Sequence, residues 1–331
     1  MRAVRLHDYG PPENLHLDEV PDPACERPTD VRIRVRAAAI NPIDWKIRAG
    51  LQRGAIRLRL PWILGLDVAG EVLEVGPGVT RFRVGDAVMG CPDHRRPGSY
   101  AEQCVLDESL LAPKPAALSF EQAAGLPLAG LTAWQCLLPR LAERPGQRVL
   151  VQAGAGGVGH FAIQLAKHHG ARVATTCSER NRDFVTSLGA DQVVDYRHER
   201  WWEAVPDLDL VLDALGYDER ERALQHVRKG GRVASIVSGL PENTERYGPN
   251  LGVLATGLGI ARFWLRGRLR GVDAATVVKR TRADQLEALG QLCDAGQLQV
   301  HVDRTFALAE LPEAHAYGET GRIRGKVVVT A

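Results

Sequence analysis

Three glycines form the clearest chemical pattern in the sequence, because Gly154, Gly156 and Gly159 have the spacing G-x-G-x-x-G. An apolar segment precedes them, a helical pattern follows, and a second apolar segment comes next, which is the context in which this spacing binds a dinucleotide. Such glycines permit a tight turn and close approach to a pyrophosphate, to which the helix N-terminus offers unpaired N–H groups. The alternative is a glycine-rich turn without a ligand. The predicted phosphate-binding residues are Gly154, Ala155, Gly156, Gly157, Val158 and Gly159.

The residues that follow the second apolar segment bear on which dinucleotide binds. NAD sites usually place an acid there for the ribose 2′-OH, whereas this sequence has Ser178, followed by Glu179, Arg180 and Arg182. A small hydroxyl beside guanidinium groups suits a 2′-phosphate, because arginine binds phosphate through two parallel hydrogen bonds. We therefore expect NADPH, with Arg182 and Arg180 as ligands of the 2′-phosphate. Glu179 argues against this expectation, and the alternative is a solvated first helical turn.

Alternating strands and helices surround these residues and must position them. The pattern predicts strands at 148–153, 172–178, 192–196, 208–214 and 232–237, with helices at 157–169 and 179–188. Alternation of this kind predicts an α/β fold in which a doubly wound parallel sheet is covered by helices on both faces. A later helix is expected at about 282–295, with Leu286, Leu289 and Cys293 on one face.

The first 120 residues have a different character, with short apolar runs broken by Gly, Pro and Asp turns, as in strands of a β-rich domain. The chain becomes strand-like again at its end, in the segment GKVVVTA. We therefore predict a β-rich domain over residues 1–120, completed by residues 296–331. The doubly wound nucleotide-binding domain is expected over residues 121–295.

Composition narrows the class of protein further. The 331 residues include 42 basic and 40 acidic side chains, and this small net charge of +2 gives no electrostatic pull toward nucleic acid or a membrane. Neither a signal-peptide pattern at the N-terminus nor a long apolar run indicates export or a membrane span. The six cysteines form no CxxC pair and are interpreted as scattered reduced thiols, which suits the cytoplasm.

A longer series of motifs runs in order along nearly the whole chain and is more specific than any one of them. Together they resemble the zinc-independent quinone oxidoreductase branch of the medium-chain dehydrogenase/reductase superfamily, which includes zeta-crystallin-like proteins. The resemblance implies a Rossmann domain joined to a GroES-like domain. The motifs, besides the glycine pattern, are Asn41-Pro42-Ile43-Asp44 with Arg48 and Gly50, Gly65 to Gly70, Val75-Gly76, Val79, Phe82, Gly85-Asp86, Gly98 to Glu102, Leu131 to Trp134, and Arg324-Gly325-Lys326.

The same comparison predicts that no metal is bound. Zinc alcohol dehydrogenases place a Cys where this sequence has Asn41 and a His where it has Leu66. Neither an amide nor an isobutyl side chain suits zinc, which prefers thiolate, imidazole or carboxylate ligands. The cysteine-rich lobe that holds structural zinc is also absent. The segment from Cys91 to His94, with Cys104 further on, is interpreted as a surface turn, and a zinc site is the less favoured alternative.

Catalytic residues are proposed by resemblance. Asn41, Asp44, Lys46 and Arg48 are expected near the substrate cleft and Thr132 close to the nicotinamide. Metal-free hydride transfer to a conjugated acceptor needs mainly alignment and stabilisation of a developing oxyanion, and Lys46 could donate a hydrogen bond to that oxygen. Alternatively, Asp44 and Arg48 form a structural ion pair. Relatives often carry tyrosines just after this motif, but here those positions hold Trp45, Lys46 and Gln52, which leaves the proton donor and the substrate open.

Further cofactor contacts also follow from the family pattern. Ser238 and Gly239 are expected beside the nicotinamide ribose, Arg324 and Lys326 are expected to reach the cofactor from the C-terminal tail, and Tyr196 to flank the adenine. Ordinary packing at a strand end is the alternative for Tyr196. The segment 240–271 holds bulky apolar residues and four arginines, which could contact an anionic substrate or another subunit, or form a solvated helix face. Family members often dimerise through the edges of their nucleotide-domain sheets, so a homodimer is expected.

The leading functional hypothesis is an NADPH-dependent reductase of quinones or α,β-unsaturated carbonyl compounds. One alternative is an enoyl-thioester (CoA) reductase on the same fold, which the basic run at 262–270 would favour. Another is a non-catalytic NADPH-binding or RNA-binding protein of the zeta-crystallin-like type. The near-neutral charge and the lack of a basic and aromatic array speak against RNA.

Overall fold

The computed structural model describes residues 1–142 and 146–331 and divides into two compact units. Unit 1 comprises Met1–Leu131 with Arg280–Ala331, and unit 2 comprises Thr132–Lys279. The strands are β1 (Arg2–Leu6), β2 (Leu15–Glu19), β3 (Asp30–Ile40), β4 (Trp62–Ile63), β5 (Val68–Val75), β6 (Ala87–Gly90), β7 (Gln103–Asp107), β8 (Leu111–Pro113), β9 (Arg148–Val151), β10 (Arg172–Cys177), β11 (Gln192–Asp195), β12 (Leu208–Asp213), β13 (Val227–Ser235), β14 (Asp273–Thr276), β15 (Val302–Ala307) and β16 (Lys326–Thr330). The helices are α1 (Pro42–Arg48), α2 (Phe120–Gly125), α3 (Pro127–Leu141), α4 (Gly157–His168), α5 (Arg182–Ser187), α6 (Trp201–Ala204), α7 (Tyr217–His226), α8 (Leu240–Arg270), α9 (Ala283–Asp294) and α10 (Leu311–Glu319).

The unit boundaries differ from the predicted ones at 120 and 296. The α2 helix packs on β3, β5 and β16 of the β-rich unit, so the change of unit comes later, within α3. The predicted helix near 282–295 is α9, and it buries Leu286, Leu289 and Cys293 as expected. It packs on β8 of unit 1, where Asp294 Oδ1 accepts a hydrogen bond of 2.9 Å from the Ala117 N–H. The return to the β-rich unit therefore begins before α9.

Unit 1 is built on a seven-stranded sheet with the order β15-β16-β3-β5-β6-β8, and β7 also pairs with β3. The C-terminal strand β16 runs antiparallel to β3, with Val327 opposite Ile40, as the strand-like tail predicted. Alternate residues of the first half of β3, Val31, Ile33 and Val35, are almost fully buried, because a strand with one face on the core alternates apolar and polar side chains. This pairing brings the start of β16 beside the end of β3, where the candidate site residues of unit 1 lie.

Unit 2 is a six-stranded sheet with the order β11-β10-β9-β12-β13-β14, and every neighbouring pair is parallel. Numbered within the unit, this is the order 3-2-1-4-5-6 of a Rossmann fold, in which ligands bind at the carboxyl ends of the strands where the strand order reverses. All six residues of β12 are buried, as expected for a central strand covered on both faces. The reversal lies beside β9, directly before the glycine motif.

Several elements differ from their predicted bounds. The predicted helix at 179–188 is a 3-10 turn over Glu179–Asn181 followed by α5, and β13 starts at Val227 instead of residue 232. The segment 240–271, which gave no clear pattern, forms the 31-residue α8, whose helical geometry is interrupted at Gly248 with φ of 76°. Within the part of the chain that the structure covers, no helix is long and apolar enough to span a membrane.

Candidate functional site

The glycine motif forms a tight turn between β9 and α4 that is held by the neighbouring strand β10. The Gly154 N–H donates to the Thr176 carbonyl at 3.0 Å, and the Ala153 N–H donates to the Thr176 hydroxyl at 3.1 Å. Ala153 adopts a φ of 52°, in the left-handed region, and the Gly156 N–H closes the turn on its carbonyl at 2.9 Å. Thr176 was not singled out in the sequence, although a buried threonine at the end of an apolar strand is a weak signal for such a contact.

The three glycines of the motif differ in what a Cβ at each position would contact. A Cβ on Gly154 would lie 2.0 Å from Thr175 Oγ1, and one on Gly159 would lie 2.3 Å from the Ala153 carbonyl oxygen. These two positions therefore allow the helix and strand to pack closely. A Cβ on Gly156 would meet only the Ala153 carbonyl oxygen, at 3.2 Å. The side of the turn at Gly156 is therefore open to a ligand that approaches the backbone, which is the role this position has in dinucleotide sites.

The N-terminus of α4 supplies the remaining donors. Gly156 is its N-cap residue, and no side chain caps the helix. The N–H groups of its first turn have no acceptor within the helix, and the helix dipole adds partial positive charge. Open backbone at Gly156, uncapped N–H groups and a place at the reversal of the sheet fit the pyrophosphate of a dinucleotide. Gly157, Val158 and Gly159 lie in this first turn, as predicted.

The predicted 2′-phosphate ligands lie just after β10. Ser178 is buried, whereas Arg182 directs its Nε at the Glu179 carboxylate, 2.8 Å and 2.9 Å from the two oxygens. The guanidinium also donates to the Val193 carbonyl at 3.3 Å. Arg180 is exposed on the 3-10 turn. The Arg182 guanidinium is thus paired with the one acid that argued against NADPH, and a phosphate there would compete with Glu179.

Other predicted contacts follow strands of the same sheet. Tyr196 follows β11 and is 60% exposed, with the Arg197 guanidinium carbon 6.0 Å from its ring centre. Ser238 and Gly239 follow β13, where the Ser238 hydroxyl accepts from the Leu240 N–H at 3.2 Å and Gly239 has a left-handed φ of 82°. All three lie beyond the carboxyl ends of their strands, on the same edge of the sheet as the glycine turn.

A buried pair between β12 and β13 was not foreseen. The Ser235 hydroxyl donates to Asp213 Oδ2 at 2.5 Å, and Asp213 Oδ1 accepts from the N–H groups of Leu215 and Gly216 at 3.0 Å and 2.7 Å. Both side chains are fully buried. They fix the chain just beyond the carboxyl ends of the two strands. The only signal in the sequence was an acid at the end of the apolar run LDLVLD.

In unit 1, three side chains from distant parts of the sequence form a buried polar cluster. Asp67 Oδ2 accepts from Asn41 Nδ2 at 2.8 Å and lies 3.3 Å from Lys326 Nζ, which also donates to Asn41 Oδ1. Asp67 Oδ1 accepts from the Leu128 N–H at 2.7 Å. The three side chains are at most 2% exposed. One carboxylate and one ammonium thus neutralise each other where β3, β5 and β16 meet.

Asp44 lies beside this cluster at the first turn of α1. Its Oδ2 accepts from the Asn41 N–H at 2.8 Å. Complete burial raises the pKa of Asp44 to about 7, and the nearby Asp67 adds to this rise, while the Asn41 N–H and Lys326 oppose it. Burial, together with the Asp44 charge, also raises the pKa of Tyr100 well above its usual value. The Tyr100 hydroxyl is buried and lies close enough to Asp44 for the two groups to interact.

The structure corrects one interpretation of the basic residues in unit 1 and shows the present partners of another. Arg48 does not pair with Asp44, because its guanidinium donates to Glu319 at 2.7 Å and to the Gly10 carbonyl at 3.1 Å. Lys326, predicted as a cofactor ligand, has its ammonium enclosed by Asn41 and Asp67. Burial and pairing therefore favour positioning roles for both. Lys46 is half-buried on α1, Arg324 is half-buried before β16, and Thr132 is buried at the start of unit 2.

Sequence comparisons agree with this architecture. Residues 27–116 match the family "Alcohol dehydrogenase GroES-like domain", and residues 188–329 match the family "Zinc-binding dehydrogenase". The chain is 33% identical to "NAD(P)H oxidoreductase RTN4IP1, mitochondrial" of Mus musculus over 99% of this chain and 89% of the relative. It is also 33% identical to the "Chloroplast envelope quinone oxidoreductase homolog" of Arabidopsis thaliana, over 99% and 98%. Identity to the "2-methylene-furan-3-one reductase" of Solanum lycopersicum is 33% over 99% and 79%.

Solved structures give the same result. The quinone oxidoreductase of Coxiella burnetii superposes with a TM-score of 0.87 at 36% identity and covers 100% of this chain and 99% of its own. The Escherichia coli quinone oxidoreductase, solved in complex with NADPH, gives 0.82 at 28% identity over 100% of both chains. The chain therefore belongs to the medium-chain dehydrogenase/reductase superfamily, in its zinc-free quinone oxidoreductase branch. The predicted Rossmann and GroES-like architecture and the general activity of an oxidoreductase are confirmed.

One matching family is named for zinc, but this chain has Asn41 and Leu66 at two positions where zinc alcohol dehydrogenases place metal ligands. Asn41 and Leu66 are not zinc ligands, and the Lys326 ammonium already lies against Asp67 and Asn41. Over residues 1–142 and 146–331, no group of three or more His, Cys, Asp or Glu side chains could hold a metal ion. The donor chemistry at this position does not fit zinc.

Proposed function

We propose that this protein binds NADPH at the glycine turn of unit 2 and reduces quinones or α,β-unsaturated carbonyl compounds without a metal. The observation that carries the proposal is the cluster of Asn41, Asp67 and Lys326, in which an ammonium neutralises the carboxylate at the position where zinc dehydrogenases hold their metal. A conjugated acceptor suits such a site, because the acceptor itself delocalises the charge left after hydride addition. The named activities of the quinone oxidoreductases and of the enone reductase support this substrate class.

In this proposal the chain's own residues bind and orient, and the bound NADPH supplies the hydride. The N–H groups at the start of α4 bind the pyrophosphate, and Gly156 leaves room for its approach. Ser178, Arg180 and Arg182 bind the 2′-phosphate, Tyr196 flanks the adenine, and Ser238 and Gly239 border the nicotinamide ribose, with Thr132 and Arg324 as further neighbours of the cofactor.

On the acceptor side, we assign Lys46 the hydrogen bond to the acceptor oxygen. It is the half-buried cation of α1, whereas the cations of Arg48 and Lys326 are enclosed by Glu319, Asn41 and Asp67. Asp44 and Asn41 hold the start of α1 and so position Lys46. Replacing Lys46 with methionine is expected to lower kcat/KM for a quinone about tenfold or more, with an unchanged Kd for NADPH. An unchanged kcat/KM would contradict this role.

Preference for NADPH is tested by comparing kcat/KM for NADPH and NADH. We expect a clear preference for NADPH, and an Arg180→Gln variant should lose part of it because a charge-assisted hydrogen bond to the phosphate is removed. The matched control is Arg200→Gln, an exposed arginine at the start of α6. A preference of the wild type for NADH would overturn the cofactor assignment.

The substrate class is tested by NADPH oxidation with a panel of quinones, enones and an enoyl-CoA. Turnover confined to the enoyl-CoA would favour the thioester reductase, and tight NADPH binding without any turnover would favour a binding protein. The arginines that motivated the thioester hypothesis do not form one open anion site, because Arg266 pairs with Glu221 at 3.0 Å and Arg268 stacks on Trp264. Quinones and enones are therefore the expected acceptors.

A homodimer joined through the edge strand β14 and a cytoplasmic location complete the proposal. The β14 strand ends the sheet of unit 2, as the family mode of pairing requires. The relatives named as mitochondrial and chloroplast proteins do not support the cytoplasm in particular. Light scattering and fractionation of the source cells test these two points.

A further inference from the structure

The second half of α8, residues 250–270, is attached to unit 2 along one narrow face. Gly252, Thr256, Phe263 and Gly267 are buried there, and their spacing of four, seven and four residues places them on one side of a helix. A Cβ on Gly267 would lie 2.4 Å from Ala274 Cβ, so the helix packs directly on β14. The Arg220 guanidinium carbon lies 4.6 Å from the Phe263 ring centre. This attachment fixes which side of the helix faces outward.

The outward side carries a stripe of leucines. Leu251, Leu254, Leu258, Leu265 and Leu269 are 63%, 61%, 65%, 50% and 79% exposed. At 3.6 residues per turn they fall on the side opposite the buried face. We call these five residues the leucine stripe. Val253 and Trp264, 40% and 50% exposed, widen the apolar surface on one flank. An exposed apolar surface of this kind on a folded protein marks a site that binds another protein, a ligand or a membrane.

The charged residues within the second half of α8 are all basic. Residues 250–270 contain Arg262, Arg266, Arg268 and Arg270 and no acidic residue. Arg266 reaches back to Glu221 of α7, and Arg270 donates to the Leu224 carbonyl at 3.1 Å. Arg268 stacks on Trp264, with 5.4 Å from its guanidinium carbon to the ring centre, and both side chains are exposed. Arg262 is exposed beside the stripe. The apolar surface is therefore flanked by cations in a protein whose net charge is only +2.

We propose that this face of α8 binds the surface of a bilayer that contains anionic lipids. Helices that lie in the plane of a membrane interface combine leucine and tryptophan on one face with arginine or lysine beside it, and anionic headgroups attract such cations. A second copy of the chain fits less well, because residues 250–270 carry no acid that could meet the arginines of the other copy. The proposal is independent of the reaction, since it uses neither the glycine turn nor the polar cluster.

The test is flotation of the full chain with vesicles of phosphatidylglycerol and phosphatidylcholine in equal parts, and with vesicles of phosphatidylcholine alone, both without NADPH or acceptor. We expect flotation with the anionic vesicles, weak flotation with the neutral ones, and loss of binding as salt is raised. Leu258→Glu should reduce the partition coefficient about tenfold or more, whereas Val84→Glu, a control with 63% exposure in unit 1, should not. The double variant Arg262→Gln and Arg268→Gln should bind anionic vesicles more weakly, unlike Arg83→Gln with Arg200→Gln.

Thermal unfolding of each variant verifies that the exposed substitutions leave the fold intact. Equal flotation with neutral and anionic vesicles, or an unchanged Leu258→Glu variant, would overturn the proposal. The proposal would also be overturned if no vesicle bound the wild type and light scattering showed that Leu258→Glu converts a larger assembly to monomers. That pattern would assign the stripe to a second copy of the chain.

Discussion

The glycine turn of unit 2 and the polar cluster of unit 1 are built in opposite ways. The turn is made almost entirely of backbone, and all its motif residues lie within Gly154–Gly159, so that a short stretch of sequence specifies it. The cluster is made of side chains that are far apart in the chain, and Asn41 and Lys326 are separated by 285 positions. A site made of backbone therefore depends on which side chains are absent, whereas a site made of side chains depends on every partner being present.

The largest effect is expected from removing one charge of the cluster. Lys326→Met leaves the Asp67 carboxylate buried without its cation, and we expect a loss of about 3–5 kcal/mol in the free energy of unfolding. Urea denaturation measures it. Adding Asp67→Asn to that variant should restore part of the loss, because the uncompensated charge is then removed. If the single variant were as stable as the wild type, Lys326 would not be the counter-ion of Asp67.

The buried carboxyl group of Asp44 provides a second test, in which the free energy of unfolding depends on pH. Its pKa is raised from 3.8 to about 7 by burial, so between these values the folded protein retains a proton that the unfolded chain has released. The contribution of Asp44 to stability is therefore lost as the pH rises through this window, by an amount on the order of 3 kcal/mol or less. Asp44→Asn keeps an acceptor for the Asn41 N–H and cannot ionise.

The measurement compares unfolding of the wild type and Asp44→Asn at a series of pH values. The stability of the wild type relative to the variant should fall between pH 4 and pH 7. Taking the difference between the wild type and the variant cancels the contributions of other titratable groups. One of these is His315: burial lowers its pKa to about 3, so its contribution to stability changes with pH in the opposite direction. A difference that stays constant with pH would mean that Asp44 titrates normally.

A smaller effect is expected from alanine substitutions at two glycines of the turn, and it should differ between the two positions. Gly154→Ala places a Cβ against Thr175 and should cost about 1–3 kcal/mol of stability through overpacking. Gly156→Ala brings its Cβ only to 3.2 Å from the Ala153 carbonyl oxygen, so it should cost less stability than Gly154→Ala, about 1 kcal/mol or less. It should weaken NADPH binding, because the Cβ fills the open side of the turn. Urea denaturation and fluorescence titration with NADPH measure the two effects. Equal destabilisation by both variants would contradict the assigned division of roles.

The same contrast explains what the sequence could reveal. Periodicity and the glycine spacing predicted β9 to β12, α4 and α5 to within a few residues, whereas β13 begins five residues earlier than predicted and α7 and β14 were not predicted. The site at the end of β3 stays a prediction. The alternative of an ion pair between Arg48 and Asp44 was wrong, and the contacts of Lys326 with Asn41 and Asp67 were not foreseen. Pairing across hundreds of residues depends on how β3, β5 and β16 come together. The Asp213–Ser235 pair spans only 22 positions and was missed because it depends on the pairing of the neighbouring strands β12 and β13. The α8 helix was not predicted because only four residues of its second half are buried and its outward face is apolar, so no amphipathic period stands out.

The smallest expected effect concerns the side chains that surround the backbone turn. Glu179→Gln removes an exposed ion pair with Arg182, which should change stability by less than about 0.5 kcal/mol. It also releases the Arg182 guanidinium and removes a negative charge next to the proposed 2′-phosphate site. NADPH should therefore bind about two- to fivefold more tightly, whereas the affinity for NADH should not change. The matched control is Glu203→Gln, which breaks the Arg200–Glu203 pair of the same i,i+3 spacing and similar exposure. Isothermal titration with both cofactors measures the effect. If NADH and NADPH gained equally, Arg182 would not contact the phosphate, and the cofactor preference would have to come from Ser178 and Arg180.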